Sequence, residues 1–338
     1  MAGGAGTRLW PKSRVKKPKQ LHALINQDSM LKNTVDRLLP IVPKANIYIA
    51  TNTTQARDIA RELPELKKNL IIEPLIRNTA PCIGLAALKL KDRAEVIAFL
   101  PADHYIGKEK EFQKILQKAF KLAKNDYLAL IGIRPTDPDT GLGYIKMGKN
   151  IDADTYQVEK FVEKPDLETA KEYLKSGQYL WNGGMFIAKP KVILELFKKH
   201  TPVIYRRLAR IAKNPQNLTL EYEKMPNISF DYAIAERAKN VVVVAGDFAW
   251  SDIGNWSKLL EMLAKKVGDN VVIGCEHYGV ETSGTLIHGT DRLVATVGVK
   301  DIIVVDTPDV VLVCNKTHAQ DVKKIVEELK LKRKEKYL

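Results

Sequence analysis

The chain opens on Gly3-Gly4-Ala5-Gly6-Thr7-Arg8, and Pro18-Lys19-Gln20 follows a short distance on. Glycine has no Cβ, so such a backbone turns tightly and brings its N–H groups against anionic oxygens. Arg8 and Lys19 would add full positive charges to those partial ones, and the segment reads as a phosphate cradle. It matches neither Gly-x-x-x-x-Gly-Lys-Ser/Thr nor Gly-x-Gly-x-x-Gly, because Gly6 is followed by Thr7, Arg8 and Leu9, so P-loop and dinucleotide-binding readings lose ground. A plain loop with solvated cations is the competing reading.

Positioning such a cradle requires an α/β framework. Over residues 1–264 apolar runs alternate with helical patterns, which predicts a Rossmann-like doubly wound sheet. Expected strands are Ile47–Ala50, Leu70–Ile72, Val96–Leu100, Leu128–Ile133, Met185–Ala188 and Val241–Ala245. Expected helices include Thr54–Leu63, Ala80–Leu90 and Lys110–Lys124, the last with Phe112, Ile115, Leu116, Ala119 and Phe120 at helical spacing. Residues 265–338 change to short β runs, Val271–Gly274, Thr285–His288, Leu293–Val297, Ile302–Asp306 and Val310–Cys314, closed by a helix over Ala319–Leu331. A length of 338 residues also favours two domains, since single cores stop growing near ~250–300.

Composition narrows the classes further. The net charge is +14, but lysines are spread along the chain and no recognisable nucleic-acid motif accompanies them, so a nucleic-acid partner is not expected. No apolar run approaches a membrane span, and no secretory layout opens the chain, which predicts a cytoplasmic protein with no membrane partner. The three cysteines, Cys82, Cys275 and Cys314, have neither disulfide nor zinc spacing.

Ordered blocks recur downstream of the loop: Glu73-Pro74 with Arg77-Asn78-Thr79-Ala80-Pro81, Pro101-Ala102-Asp103-His104, Thr140-Gly141-x-Gly143-Tyr144-Ile145, Phe161-x-Glu163-Lys164-Pro165, Trp181-Asn182-x-Gly184-Met185-Phe186 and Trp250-Ser251-Asp252-x-Gly254-Asn255-Trp256. With the glycine loop they resemble the sugar-nucleotide pyrophosphorylases, and Leu9-Trp10-Pro11 points to the mannose-1-phosphate guanylyltransferase branch. The resemblance implies nucleotidyl transfer from GTP to α-D-mannose 1-phosphate, with Mg²⁺ as cofactor. It also implies a small C-terminal domain built as a short left-handed β-helix with a role in a homodimer. The cupin domain of longer, isomerase-bearing members is not expected.

The same resemblance distributes roles. Arg8, Lys19, Asp103 and Asp252 form the catalytic set, with Asp103 and Asp252 holding the metal. Both aspartates follow apolar runs, where sites of α/β sheets sit, and phosphate-bound Mg²⁺ takes one or two carboxylates. Each could instead cap a turn. Gly3, Gly4, Gly6, Thr7, Glu73, Pro74, Asn78 and Thr79 look like the nucleotide set, although Asn78 or Thr79 could simply cap the following helix. Gly143, Glu163, Lys164 and Asn182 look like the sugar-phosphate set. On a regular strand Glu163 and Lys164 would face opposite sides, so they share a site only if the strand stops, as Pro165 suggests. The aromatic residues Trp181, Phe186, Trp250 and Trp256 are read as core.

One departure from the family pattern stands out. Only Met1 and Ala2 precede the glycine loop, where a strand is expected, so the natural protein is expected to carry roughly 5–10 further residues upstream. Two other readings stay open: transfer to a different NTP and hexose 1-phosphate pair, and a non-catalytic regulatory relative that binds sugar nucleotides.

Overall fold

The computed structural model describes residues 1–4 and 6–338, so Ala5 of the glycine loop lies outside the described residues. Two compact units are present. One gathers Met1–Gly3, Val35–Ala102 and Ile106–Trp250, and the other Gly4–Thr34, Asp103–Tyr105 and Ser251–Leu338.

The first unit is built on a six-stranded mixed sheet in the order Ile97–Phe99, Tyr179–Ala188, Leu128–Ile133, Val241–Gly246, Thr155–Val162, Gly143–Asp152. Leu128–Ile133 and Val241–Gly246 run parallel, with Leu128 opposite Val241 and Ile133 opposite Gly246. Alternation along these strands divides them between two faces. Leu128, Leu130, Val241 and Val243 join one apolar cluster, with Ile83, Leu85 and Ala87 of the helix Thr79–Leu90. Ala129, Ile131, Val242 and Val244 join the other, with Phe112, Ile115, Leu116 and Ala119 of the helix Glu109–Ala123. That helix carries Glu109 and Glu111 in its first turn and Lys121 in its last, matching its dipole.

A separate parallel pair, Ile49–Asn52 with Leu70–Glu73, ends on Glu73. Met1 and Ala2 reach both this pair and the segment after Ile97–Phe99: the terminal ammonium donates to the Leu100 carbonyl at 2.7 Å, the Ala102 N–H to Met1 at 3.0 Å, and the Ala2 N–H to Ala50 at 2.8 Å.

Several expected boundaries change. Met185–Ala188 is the end of a longer strand, Tyr179–Ala188, and the hairpin Gly143–Asp152/Thr155–Val162 was not among the expected elements. Pairing between Leu128–Ile133 and Tyr179–Ala188 slips between Leu130 and Gly132, where Gly184 has φ +63°. A bulge of that kind makes the Asn182-Gly183-Gly184 stretch look turn-like in sequence while it remains strand.

The second unit stacks short strands in parallel, Val271–Ile273 beside Leu286–His288 beside Ile302–Asp306, with Val311–Asn315 closing antiparallel. A second parallel pair, His277–Val280 with Val294–Val297, completes the coil. Leu286, Ile303 and Val305 point into a core shared with Leu9, Trp10, Trp256, Val322 and Val326. Leu9 and Trp10, which follow the glycine loop, are thus packed inside this unit. Trp10 Nε1 donates to the Tyr337 carbonyl at 2.7 Å, and Trp256 Nε1 to the Trp10 carbonyl at 3.0 Å. Arg14 forks onto both Asp309 oxygens at 2.8 and 2.6 Å. Among the described residues no helix is long and apolar enough to cross a membrane.

Candidate active site

Three groups of predicted residues assemble. The first lies in the unit holding the glycine loop. Gly6 takes φ +58°, and a Cβ there would stand 2.7 Å from the Lys19 Cβ, so only glycine lets the loop pass this close. Lys19 starts a short 3₁₀ turn and is 5% exposed. Its ammonium donates to Asp103 Oδ2 at 3.1 Å and also to the main-chain carbonyl of Asp252. Residues widely separated in sequence therefore meet on one cation.

Burial pushes the Asp103 carboxyl up, but Lys19 and His104 outweigh it and hold it below the usual range. Arg8 is exposed, and among the described residues it has no acidic partner. Thr7 lies in the 3₁₀ turn Thr7–Leu9 that follows Gly6, and Gly4 accepts from the Gln20 amide at 3.3 Å. After Asp252, the fully buried Ile253 sits at φ +42°. A β-branched residue there is strained, and such strain collects at functional sites.

The second group surrounds Glu73, which is 4% exposed at the end of its strand. Tyr222 donates its hydroxyl to Glu73 Oε2, and the Cys82 thiol also hydrogen-bonds the carboxylate. Burial nevertheless raises the Glu73 carboxyl above its ordinary range. Gly3 lies against the other oxygen, since a Cβ there would stand 3.7 Å from Oε1. Pro74 is half-buried next in the chain. Asn78, at φ +65°, caps the helix Thr79–Leu90 by accepting the Thr79 N–H, and Thr79 Oγ1 accepts from Phe230 N–H at 2.8 Å. The capping role left open by the sequence thus falls to Asn78, while the Thr79 hydroxyl ties the helix start to Phe230.

The third group joins Gly143, Glu163, Lys164 and Asn182. The strand Thr155–Val162 stops before Glu163, and Lys164 turns to φ +48°. That turn brings the neighbouring side chains together, with Lys164 Nζ 3.2 Å from Glu163 Oε1. Glu163 is 9% exposed at its side chain, and its Oε2 has no hydrogen-bond partner among the described residues. A Cβ on Gly143 would stand 2.5 Å from that oxygen. Asn182 donates to Asp231 at 2.7 Å. Burial raises both carboxyls; the neighbouring Asp231 charge adds to this at Glu163, and Lys164 works against it at both.

Asp231, Tyr222 and Cys82 escaped the sequence reading. None lies in a block that resembled the family, and for two of them the partner is distant along the chain, 49 residues for Asp231 and Asn182 and 149 for Tyr222 and Glu73. Burial, which sequence spacing does not reveal, is what singles them out.

The six-stranded mixed sheet belongs to a nucleotidyl transferase. The nucleotidyl transferase family matches residues 1–267, and a MannoseP isomerase/GMP-like beta-helix domain matches residues 275–329. A mannose-1-phosphate guanylyltransferase from Salmonella montevideo is 40% identical over 100% of this chain and 74% of its own length. One from Escherichia coli K12 is 38% identical, covering 98% and 72%. A crystal structure described as mannose-1-phosphate geranyltransferase from Thermus thermophilus superposes with TM-score 0.93 at 37% identity, covering 98% of both chains. One described as mannose-6-phosphate isomerase from Helicobacter pylori gives 0.62 at 26% identity, covering 69% of this chain and 95% of its own. The chain belongs to the nucleotidyl transferase family, in the branch of the mannose-1-phosphate guanylyltransferases.

Proposed function

We propose that this chain transfers the guanylyl group of GTP to α-D-mannose 1-phosphate, giving GDP-mannose and pyrophosphate. A phosphate oxygen of the sugar attacks the α-phosphorus, the new oxygen–phosphorus bond forms, and the bond to the bridging β-phosphate oxygen breaks. Two anions must approach, so positioning and charge neutralisation supply the catalysis. The observation that carries this reading is Lys19, a buried ammonium fixed by Asp103 and the Asp252 carbonyl beside the Gly6 turn.

Arg8 and Lys19 neutralise the phosphates, and the backbone of Gly3, Gly4, Gly6 and Thr7 lies along them. Glu73, Pro74, Asn78 and Thr79 bind the nucleotide, and Gly143, Glu163, Lys164 and Asn182 bind the sugar phosphate. The donor set at Lys19 fits Mg²⁺ through the Asp103 carboxylate, a hard oxygen donor of which Lys19 engages Oδ2 alone. Among the described residues no group of three or more His, Cys, Asp or Glu forms a closed metal cage, so substrate oxygens and water would complete the shell held by Asp103 and Asp252. When bound, the ion would screen the converging phosphate charge. A cytoplasmic homodimer fits the same reading: all three cysteines are free, and exposed Tyr278, Val280 and Val297 offer an apolar face for a second copy.

A pyrophosphate-release assay decides the reaction. Turnover is expected with GTP and mannose 1-phosphate, and little with ATP or glucose 1-phosphate. Faster turnover with another pair replaces the substrates, and binding without turnover indicates the regulatory relative. Mannose 6-phosphate serves as the control for isomerase activity.

A further inference from the structure

We propose that Asp231 is a positioning residue for sugar recognition, acting through Asn182; this rests on the reading of Asn182 as a sugar ligand. An asparagine amide offers two N–H donors and an oxygen with two lone pairs, and a free amide could present either end to a ligand. Here the choice is made. Nδ2 donates to Asp231 Oδ1 at 2.7 Å, and Oδ1 accepts the Gly184 N–H at 3.0 Å. One N–H and one lone pair remain for a ligand, each with a fixed direction.

Asp231 is itself well held. It opens the short π-helical turn Asp231–Ala235, whose end is tied by the Glu236 N–H to the Asp231 carbonyl at 3.1 Å. The Ser229 side chain hydrogen-bonds its carboxylate. Glu236 in turn accepts the Glu163 N–H at 3.2 Å, so the same turn also touches the second sugar-facing residue. Gly184, the other partner of the amide, occupies the bulge at φ +63°. Asp231 and the bulge therefore grip the amide from two sides, while Glu163 Oε2 lacks a donor. A ring carrying several hydroxyls supplies donors to that oxygen and an acceptor to the remaining Asn182 N–H. Asp231 fixes where that second contact is offered.

The test compares Asp231→Leu with Asp231→Asn in the full chain, by KM for each substrate, kcat and melting temperature. Leucine removes the acceptor, so KM for mannose 1-phosphate is expected to rise roughly 10- to 100-fold, as for loss of a buried charged hydrogen bond, with KM for GTP within about twofold. Asparagine keeps an acceptor oxygen and is expected to recover most of the loss. An unchanged KM for mannose 1-phosphate in the leucine variant overturns the proposal, as does an equal loss for both substrates. Should that variant fail to fold, Ser229→Ala reports instead: a KM rise of about threefold confined to the sugar phosphate supports the idea, and no rise overturns it. If the parent prefers another hexose 1-phosphate, the substrate reading fails but the same ratios, measured on that sugar, still decide the role of Asp231. A parent that binds no sugar phosphate in calorimetry overturns both.

Discussion

The surroundings of Lys19 and those of Glu163 solve opposite electrostatic problems. At Lys19, charge is already balanced: the ammonium meets a carboxylate and a carbonyl, and the Asp103 carboxyl is held down. At Glu163, balance is incomplete. Two buried carboxyls lie near each other, both raised, with one oxygen unpartnered and the single neighbouring ammonium, Lys164, 56% exposed. Orphaned buried groups cost more than satisfied ones gain, so the first arrangement is a finished device and the second awaits hydroxyl donors. Under the proposed function, phosphate chemistry and sugar recognition would make these different demands.

The sharpest way to break the contrast is Lys19→Ala. It strips the finished cluster of its cation and is expected to lower kcat by about 10²–10³, the effect of losing one preorganised donor. Arginine should not rescue it, because a planar fork does not replace a compact ammonium in a 5% exposed position. Pyrophosphate release under saturating substrates measures this, and parental kcat in the alanine variant would remove Lys19 from the chemistry.

A smaller effect is expected on the other side. Gly143→Ala places a methyl 2.5 Å from Glu163 Oε2, so the carboxylate must move. KM for mannose 1-phosphate should rise roughly 10-fold while KM for GTP stays put, the scale of one weakened hydrogen bond to a charged group. Equal changes in both constants would mean that the two regions are not functionally separate.

The last effect concerns stability. Buried histidines also occur near the glycine loop: burial, with help from nearby lysines, pushes His22 to about 4, despite the 2.8 Å hydrogen bond between its Nε2 and the Lys17 carbonyl, and His288 to about 3, against an ordinary 6.5. Neither ring nitrogen of His288 has a partner among the described residues. Between pH 6.5 and 4 the unfolded chain binds a proton at each histidine that the folded chain refuses. Stability therefore falls on acidification, by about 1.4 kcal/mol per pH unit for each group. The raised carboxyls Glu73, Glu163 and Asp231 act with opposite sign, since their folded forms keep protons longer, but they are common to parent and variant. Urea unfolding of His288→Leu across that window should show a slope flatter by one proton and no loss of stability at pH 7. An unchanged slope would mean that His288 does not titrate this way.

What was legible in the sequence was whatever local pattern encodes. Leu128–Ile133 appeared with its expected bounds because its apolar run is continuous and bounded. The helix Glu109–Ala123 followed from its 3.6-residue spacing. The Gly143–Val162 hairpin was hidden, since its tip, Lys149 to Asp152, is exposed and mostly polar, and its one apolar residue, Ile151, faces solvent and breaks the usual alternation. The sharing of one site by Glu163 and Lys164 hinged on where a strand ended, and Pro165 hinted at it. The grip of Asp231 on Asn182 had no local signature, because it depends on a bulge and a π-helical turn that meet only after folding.

The indole of Trp10 waits for a carbonyl 327 positions later, and Arg14 waits for Asp309. A ribosome therefore makes the glycine-loop segment long before it makes these two anchors. Throughout that interval of translation Trp10 and Arg14 lack these two partners, and a nascent chain paused within it has both anchors still to be made.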